Sequence, residues 1–400
     1  MKPTILFVDN DPDYFGPTVS MNYLIDSFIE NNYEIGLVTN KSKSLILEYE
    51  RKNVKIYSFS TNLYLNLHFT NQYSFFTVKG FYFFLQMLFR LIKGTLIAYS
   101  VIRKAKPDLV YINEYVLLQF AIAAKLQKVP SFTHIRSQFL KGTFGLRKKW
   151  LSSVLLKCNE KIFAITPQEA NQIIVKSINK KNKIIIVPEF LNDENFKIDY
   201  PVSEIKKNIG IAESKIIILM LGGIEKVKGT YELIEAISLL KNELPSIFLV
   251  IAGNFHKYPS NLKYWERCQK LIELNNIQDH IKILPPLKNA NHLIAIADIV
   301  VSSSILSHFS RPVIEAWAKM KPVIAAKSIH SIEYIEDGTN GLLYDPASPK
   351  ELKEKIKMIL ENSALRLRIS ENGYKKAQTI YNARINTKII IDESNRIINI

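Results

Sequence analysis

Apolar runs of three to six residues alternate along this chain with longer segments whose apolar positions recur at helical spacing. In the first half the short runs are Thr4–Val8, Glu34–Thr39, Val54–Phe59, Leu109–Asn113, Val129–Thr133, Lys161–Thr166 and Lys183–Val187. The pattern resumes at Ile216–Leu221, Ile247–Ala252, Ile281–Leu284, Ile299–Val301 and Pro322–Ala326. Such runs, rich in Ile and Val and bounded by turn residues, read as buried parallel strands. Met21–Ile29, Phe81–Arg103, Ala121–Leu126 and the segment after Pro312 carry the helical period. Strands alternating with helices predict an α/β fold with parallel sheets.

Four hundred residues exceed what one core usually serves, so two domains are expected. Residues 192–214 are polar and contain Pro201, which puts the division there. The expected layout is a domain over 1–190, a linker over 191–214, a second domain over 215–375 and a terminal helix over 376–400.

Two stretches carry candidate chemistry. After Ile299–Val301 come Ser302 to Ser304, a loop, and a helix with Pro312 in its first turn. In an open α/β sheet, ligands sit beyond the carboxyl ends of strands, where helix N-termini offer N–H groups to anions. Residues 304–314 therefore read as a phosphate or diphosphate seat, with Glu315 one turn inside the helix. After Ile216–Leu221 the chain runs Gly222-Gly223-Ile224-Glu225-Lys226-Val227-Lys228-Gly229. This order is neither a P-loop nor a dinucleotide fingerprint. Its glycines let backbone approach a phosphate, and Lys228 supplies a point charge.

These stretches resemble the donor-binding signature of the retaining glycosyltransferases of family 4. Phe309, Arg311, Glu315, Ala316, Pro322, Val323, Ile324, Gly338 and Gly341 fall on it, as do Gly222, Lys228 and Gly229 in the glycine-rich loop. Lys106-Pro107-Asp108 is the family's turn unchanged, and Gly253-Asn254 resembles its Ala-Gly turn. Ser307, Ser310 and Gly223 depart from the family's Glu, Gly and Arg, and Glu189 to Asn192 replace its Asn-Gly-Val-Asp.

The resemblance implies the GT-B fold, two Rossmann-like domains with parallel sheets facing a cleft, and a last helix crossing back to the first domain. It implies transfer of a sugar from a nucleotide-diphosphate sugar to an acceptor hydroxyl, of a lipid-linked saccharide or a cell-surface polysaccharide, with retention of configuration. Donor-binding residues would be Gly222, Gly223, Lys228, Gly253, Asn254, Ser307, Phe309, Ser310, Arg311, Val313 and Glu315. His134, Lys228 and Glu315 would be catalytic, with Gly16 and Arg136 on the acceptor side. The backbone amides near Ser310 and Val313 would help Lys228 hold the diphosphate. No metal or other cofactor is expected: the nucleotide-sugar is a substrate, and Asp9, Asp11 and Asp13 read as solvated or capping turn residues. Ser307 lacks the charge and reach of a Glu, so donor preference has shifted or activity is lost. Its neighbours His308 and Arg311 suit an acidic sugar. The rival reading is a catalytically degenerate binding or partner subunit of the same shape.

The net charge of +16 changes the picture of partners. Residues 51–107 hold nine Lys/Arg and residues 115–159 hold eight, with no Asp or Glu in either window. That suits an anionic lipid surface or a phosphate-bearing acceptor. Nucleic acid would explain the charge but not the donor signature. Phe81–Arg103 is either an ordinary core helix or an interfacial one; Arg90 and Lys93 argue against a spanning segment. Cys158 and Cys268 lack disulfide-framework or zinc spacing, as in a reducing compartment. The first strand follows Met1-Lys2-Pro3 directly, so no signal peptide is expected. A cytoplasmic protein at the inner face of the membrane is the expectation.

Overall fold

Alternate residues of each strand in the first half of the chain point into two different cores. The computed structural model describes residues 2–9, 16–39, 43–58, 76–139, 143–174, 182–253, 259–287, 290–305 and 309–399. In β1 (Thr4–Val8), Leu6 and Val8 face one core while Ile5 and Phe7 face the other. β4 (Leu109–Ile112) divides in the same way: Val110 and Ile112 against Leu109 and Tyr111. Both faces of this sheet are therefore covered, which is why its strands read as continuous apolar runs.

The chain forms two compact units, Met1–Phe190 with Ala383–Ile400, and Leu191–Asn382. In the first, β1 and β4 join β2 (Glu34–Thr39), β3 (Lys55–Ser58), β5 (Ser131–Ile135), β6 (Lys161–Ala164) and β7 (Ile184–Ile186). Their order is β3-β2-β1-β4-β5-β6-β7, parallel throughout. One core packs helix Gly16–Glu30 and helix Ala383–Ile398 through Met21, Leu24, Phe28, Ile390 and Ile391. The opposite core packs helices Val78–Ala105, Leu118–Leu126 and Leu146–Cys158.

The second unit contains β8 (Ile216–Leu221), β9 (Ile247–Ala252), β10 (Ile281–Leu284), β11 (Ile299–Ser302), β12 (Val323–Ala326) and β13 (Leu342–Tyr344). Their order is β10-β9-β8-β11-β12-β13, again parallel. In each sheet the winding reverses beside the first strand, between β1 and β4 and between β8 and β11. Those reversals open the crevices where ligands of doubly wound sheets bind.

Two local features differ from the sequence pattern. β5 begins at Ser131, because Pro130 cannot donate to the ladder and only accepts, from the Val110 N–H at 3.0 Å. Residues 191–214 carry helices Asp193–Phe196 and Val202–Asn208 within the second unit. The buried Lys319 ammonium holds that stretch by donating to the Glu194 carbonyl at 2.8 Å and to the Lys197 carbonyl. Helix Ala383–Ile398 belongs to the first unit, where the Ser27 hydroxyl donates to Thr387 at 3.1 Å.

Candidate functional site

At the reversal in the second unit, three loops meet backbone to backbone. Gly222, Gly223, Gly229 and Gly253 have φ of 132°, 80°, 65° and 144°, conformations that favour glycine. A β-carbon on Gly253 would lie 2.3 Å from the Gly223 nitrogen, and one on Gly229 would lie 2.1 Å from the Ser303 carbonyl oxygen. The approach of the loops after β8, β9 and β11 is thus closed to larger residues.

Hydrogen bonds then fasten the β8 loop to the end of β11. Ser303 Oγ donates to the Lys228 carbonyl at 2.8 Å, and Ser304 Oγ donates to the Val227 carbonyl at 3.1 Å. The Ile305 N–H reaches the same Val227 carbonyl at 3.0 Å. Lys228 is half-buried, and its side chain lies along Gly222: a β-carbon there would be 3.6 Å from Lys228 Cδ and Cε. Burial pushes the Lys228 ammonium below its usual range, and Glu225 opposes the shift. A partly dehydrated cation beside glycine backbone is a setting in which a phosphate gains strongly charge-assisted contacts.

Helix Arg311–Ala318 starts next to this loop with Pro312 in its first turn. Arg311 Nε donates to Glu315 Oε1 at 2.7 Å, one turn on, and both side chains are mostly buried. The expected diphosphate amides need correction. The Ser310 N–H donates to Tyr334 Oη at 3.3 Å and the Val313 N–H to the Ser310 carbonyl at 3.1 Å, so both are engaged within the protein. The Ser310 hydroxyl pairs with that of Ser302 at 2.8 Å. Phe309 is buried against Tyr334 and Tyr381, with ring centroids 4.9 and 5.8 Å away. Its ring anchors the loop in an aromatic cluster. Ser307, Asn254, His308, Asp11 and Asp13 lie outside the described residues.

In the first unit, His134 is corrected outright. It is 0% exposed, the fourth residue of β5, ringed by Tyr111, Phe163 and Phe190. Its Nδ1 pairs with Tyr111 Oη at 2.6 Å. Burial, and then the Arg136 charge, hold its pKa well below the ordinary value. A neutral imidazole sealed in a core cannot touch a sugar. Arg136, just past the strand, is also buried: Nη1 meets Glu189 Oε1 at 2.6 Å and Nε meets Asn113 Oδ1 at 3.0 Å. The acceptor-side role expected of it gives way to this ion pair. Gly16 opens helix Gly16–Glu30.

Sequence reasoning missed several partners. Glu189 stands where the resembled pattern differs, and the structure shows that it compensates Arg136. Asp9 is not the solvated turn residue expected: it is buried, accepting from Thr18 Oγ1 at 3.0 Å and from Asn113 Nδ2 at 3.4 Å, and extends one polar network across the ends of β1 and β4. Glu114 has a φ of 141°, rare for a residue with a side chain, and its carboxylate accepts the Tyr115 N–H at 2.8 Å. Burial raises its pKa to about 7 against the Tyr115 amide, Ser137 and Arg136. Among the described residues no three metal-ligating side chains cluster.

Comparison with known proteins bears on the second unit first. Residues 201–376 match the family model Glycosyl transferases group 1. The chain is 28% identical over 199 residues to the putative glycosyltransferase EpsD of Bacillus subtilis, covering 48% of this chain and 50% of EpsD. It is 22% identical over 259 residues to the capsular polysaccharide biosynthesis glycosyltransferase CapM of Staphylococcus aureus, covering 63% and 65%. The chain thus spans about half to two thirds of the length of these curated relatives. The solved structure of Anabaena Alr3699/HepE in complex with UDP-glucose superposes with a TM-score of 0.76 at 17% identity, over 98% of each chain. That similarity shows the fold: GT-B, as the sequence resemblance implied.

Proposed function

We propose that this protein is a retaining glycosyltransferase of family 4 that moves a sugar from a nucleotide-diphosphate sugar to an acceptor hydroxyl. The observation that carries the reading is Lys228, fastened over the glycine turn at the reversal of the second sheet. The leaving group is a nucleoside diphosphate, so transfer needs positive charge on that group, and Lys228 supplies it. Glu315 accepts hydrogen bonds from the ribose hydroxyls while Arg311 fixes its carboxylate. The scheme needs no metal. The acceptor is a lipid-linked saccharide or a growing cell-surface polysaccharide, supported by the capsular role named for CapM.

A second reading rests on Ser307, Ser310 and Gly223, which stand where the resembled pattern has Glu, Gly and Arg: a donor-binding subunit that transfers nothing. One screen tests both. Melting temperature is measured with UDP-, GDP-, ADP- and CMP-sugars, because binding to the folded state alone raises stability. Any hit is then incubated with lipid-linked acceptors and the product's anomeric configuration is read by NMR. A retained configuration fits the proposal and an inverted one contradicts it. Donor binding without transfer favours the second reading, and no binding rejects both.

A further inference from the structure

Helix Val78–Ala105 has two apolar faces, and the fold explains one of them. Gly80, Gly94, Ala98 and Ile102 are buried, and a β-carbon on Gly94 would lie 3.2 Å from Gln119 Cγ. The small Gly94 and Ala98 let the helix press closely onto helix Leu118–Leu126. The opposite face runs Leu85, Leu88, Phe89, Ile92, Leu96 and Tyr99 at helical spacing, each 39–68% exposed. A helix on the surface of a water-soluble unit ordinarily turns polar residues outward. Here the small residues face inward and the large apolar ones face out, which marks a contact surface.

The charge around this stripe selects its occupant. The two acid-free windows, residues 51–107 and 115–159, supply this helix, the neighbouring helix Leu118–Leu126 and helix Leu146–Cys158. Lys93 is exposed, with its ammonium 6.0 Å from the Phe89 ring centroid, and Arg103 and Lys104 are exposed at the helix end. We propose that this face docks the protein on an anionic lipid bilayer. The helix lies in the interface plane, its apolar stripe at the level of the acyl chains and its cations among the headgroup phosphates.

Other occupants fit less well. By length and composition the helix could cross a membrane, but Ala98 and Ile102, with Met87 and Leu91 packed beside them, are built into the unit's core and cannot leave without opening it. A two-fold contact with a second copy would set one basic, acid-free surface against itself. Nucleic acid would meet Leu85, Leu88, Ile92 and Leu96 between Phe89 and Tyr99, a stripe more aliphatic than a base-stacking platform. A bilayer alone supplies both an apolar layer and negative charge.

The test floats the full-length protein with vesicles of phosphatidylcholine alone and of phosphatidylcholine mixed with phosphatidylglycerol. Flotation is expected with the mixed vesicles and declines as salt rises, because exposed charges are screened. The double variant Phe89→Gln/Leu96→Gln should partition at least about tenfold less, since it removes two of the exposed apolar anchors. Arg90→Gln/Lys93→Gln keeps the apolar stripe and should lose the preference for phosphatidylglycerol. Circular dichroism and melting temperature confirm that each variant is folded. No flotation, salt-independent flotation, or natural binding by both variants would overturn the proposal. So would a dimer of the natural protein that Phe89→Gln/Leu96→Gln dissolves, which would assign the face to a second copy. The readout needs neither donor nor acceptor, so it stands apart from the transferase reading.

Discussion

Ser303 Oγ donates to the carbonyl oxygen of Lys228 at 2.8 Å, joining residues 75 positions apart. The bond ties the loop after β8 to the end of β11, so the cation of the candidate site is positioned by the strand that leads into its neighbouring helix. Around that junction the glycines act as spacers.

Gly229→Ala should therefore be costly. Its φ of 65° disfavours any β-carbon, and the new atom would lie 2.1 Å from the Ser303 oxygen. Strain of this kind costs about 1–3 kcal/mol. A urea midpoint lowered accordingly, with donor affinity reduced in the folded fraction, is the expected outcome; unchanged stability would mean the junction is looser than described.

Arg311 and Glu315 should behave as one unit. If Arg311 acts only by fixing the Glu315 carboxylate, donor affinity in the double variant Arg311→Ala/Glu315→Ala equals that of Glu315→Ala alone. Titration calorimetry on the three variants checks this. Additive losses would give Arg311 a contact of its own with the donor.

Much of this was legible in the sequence, and the failures have physical causes. Ile216–Leu221, Ile247–Ala252 and Ile281–Leu284 form strands with the bounds their apolar runs suggest. Turn residues close each run on both sides. At β5 the Val-Pro pair misleads: pairing begins after Pro130, so His134 falls inside the strand and enters the core instead of standing at the edge. The Arg136–Glu189 ion pair spans 53 positions, and no local pattern announces such a partner. The β11 loop was readable as punctuation. That its Ser310 and Val313 amides are engaged within the protein depends on Tyr334 and on a tight turn, which only the folded chain reveals.

His134 should contribute to stability and not to transfer. Its folded pKa lies well below the ordinary 6.5, so below that pH the unfolded chain binds a proton that the folded one does not. Its contribution is full above pH 6.5 and falls as pH drops, by about 1.4 kcal/mol per pH unit for one proton, until the folded pKa is reached. The stability difference between the natural protein and His134→Phe, followed from pH 8 to 5, reads this slope. Donor affinity should be the same in both. Lost transfer with full donor binding and unaltered stability would return His134 to the chemistry.

Glu114 should show the opposite sign. Its folded pKa is raised from 4.5 to about 7, so its contribution is intact below pH 4.5 and is lost as pH rises through 7. Glu114→Gln keeps the shape without the charge. The variant should gain stability relative to the natural protein between pH 5 and 8, measured by urea midpoints. An equal difference at both pH values would show that the carboxyl titrates like a solvated one.

The most direct measurement of the central claim is the pair of melting temperatures of Lys228→Met, with and without nucleotide-sugar. A half-buried ammonium costs the empty protein stability, since burial depresses its pKa, whereas a bound diphosphate turns that charge into a contact on the order of 1.5–3 kcal/mol. Lys228→Met should therefore melt at the same temperature as the natural protein or higher when empty, and lose most of the donor-induced rise. A variant that melts lower when empty and keeps the full donor-induced rise would make Lys228 a structural residue and remove the site from this loop.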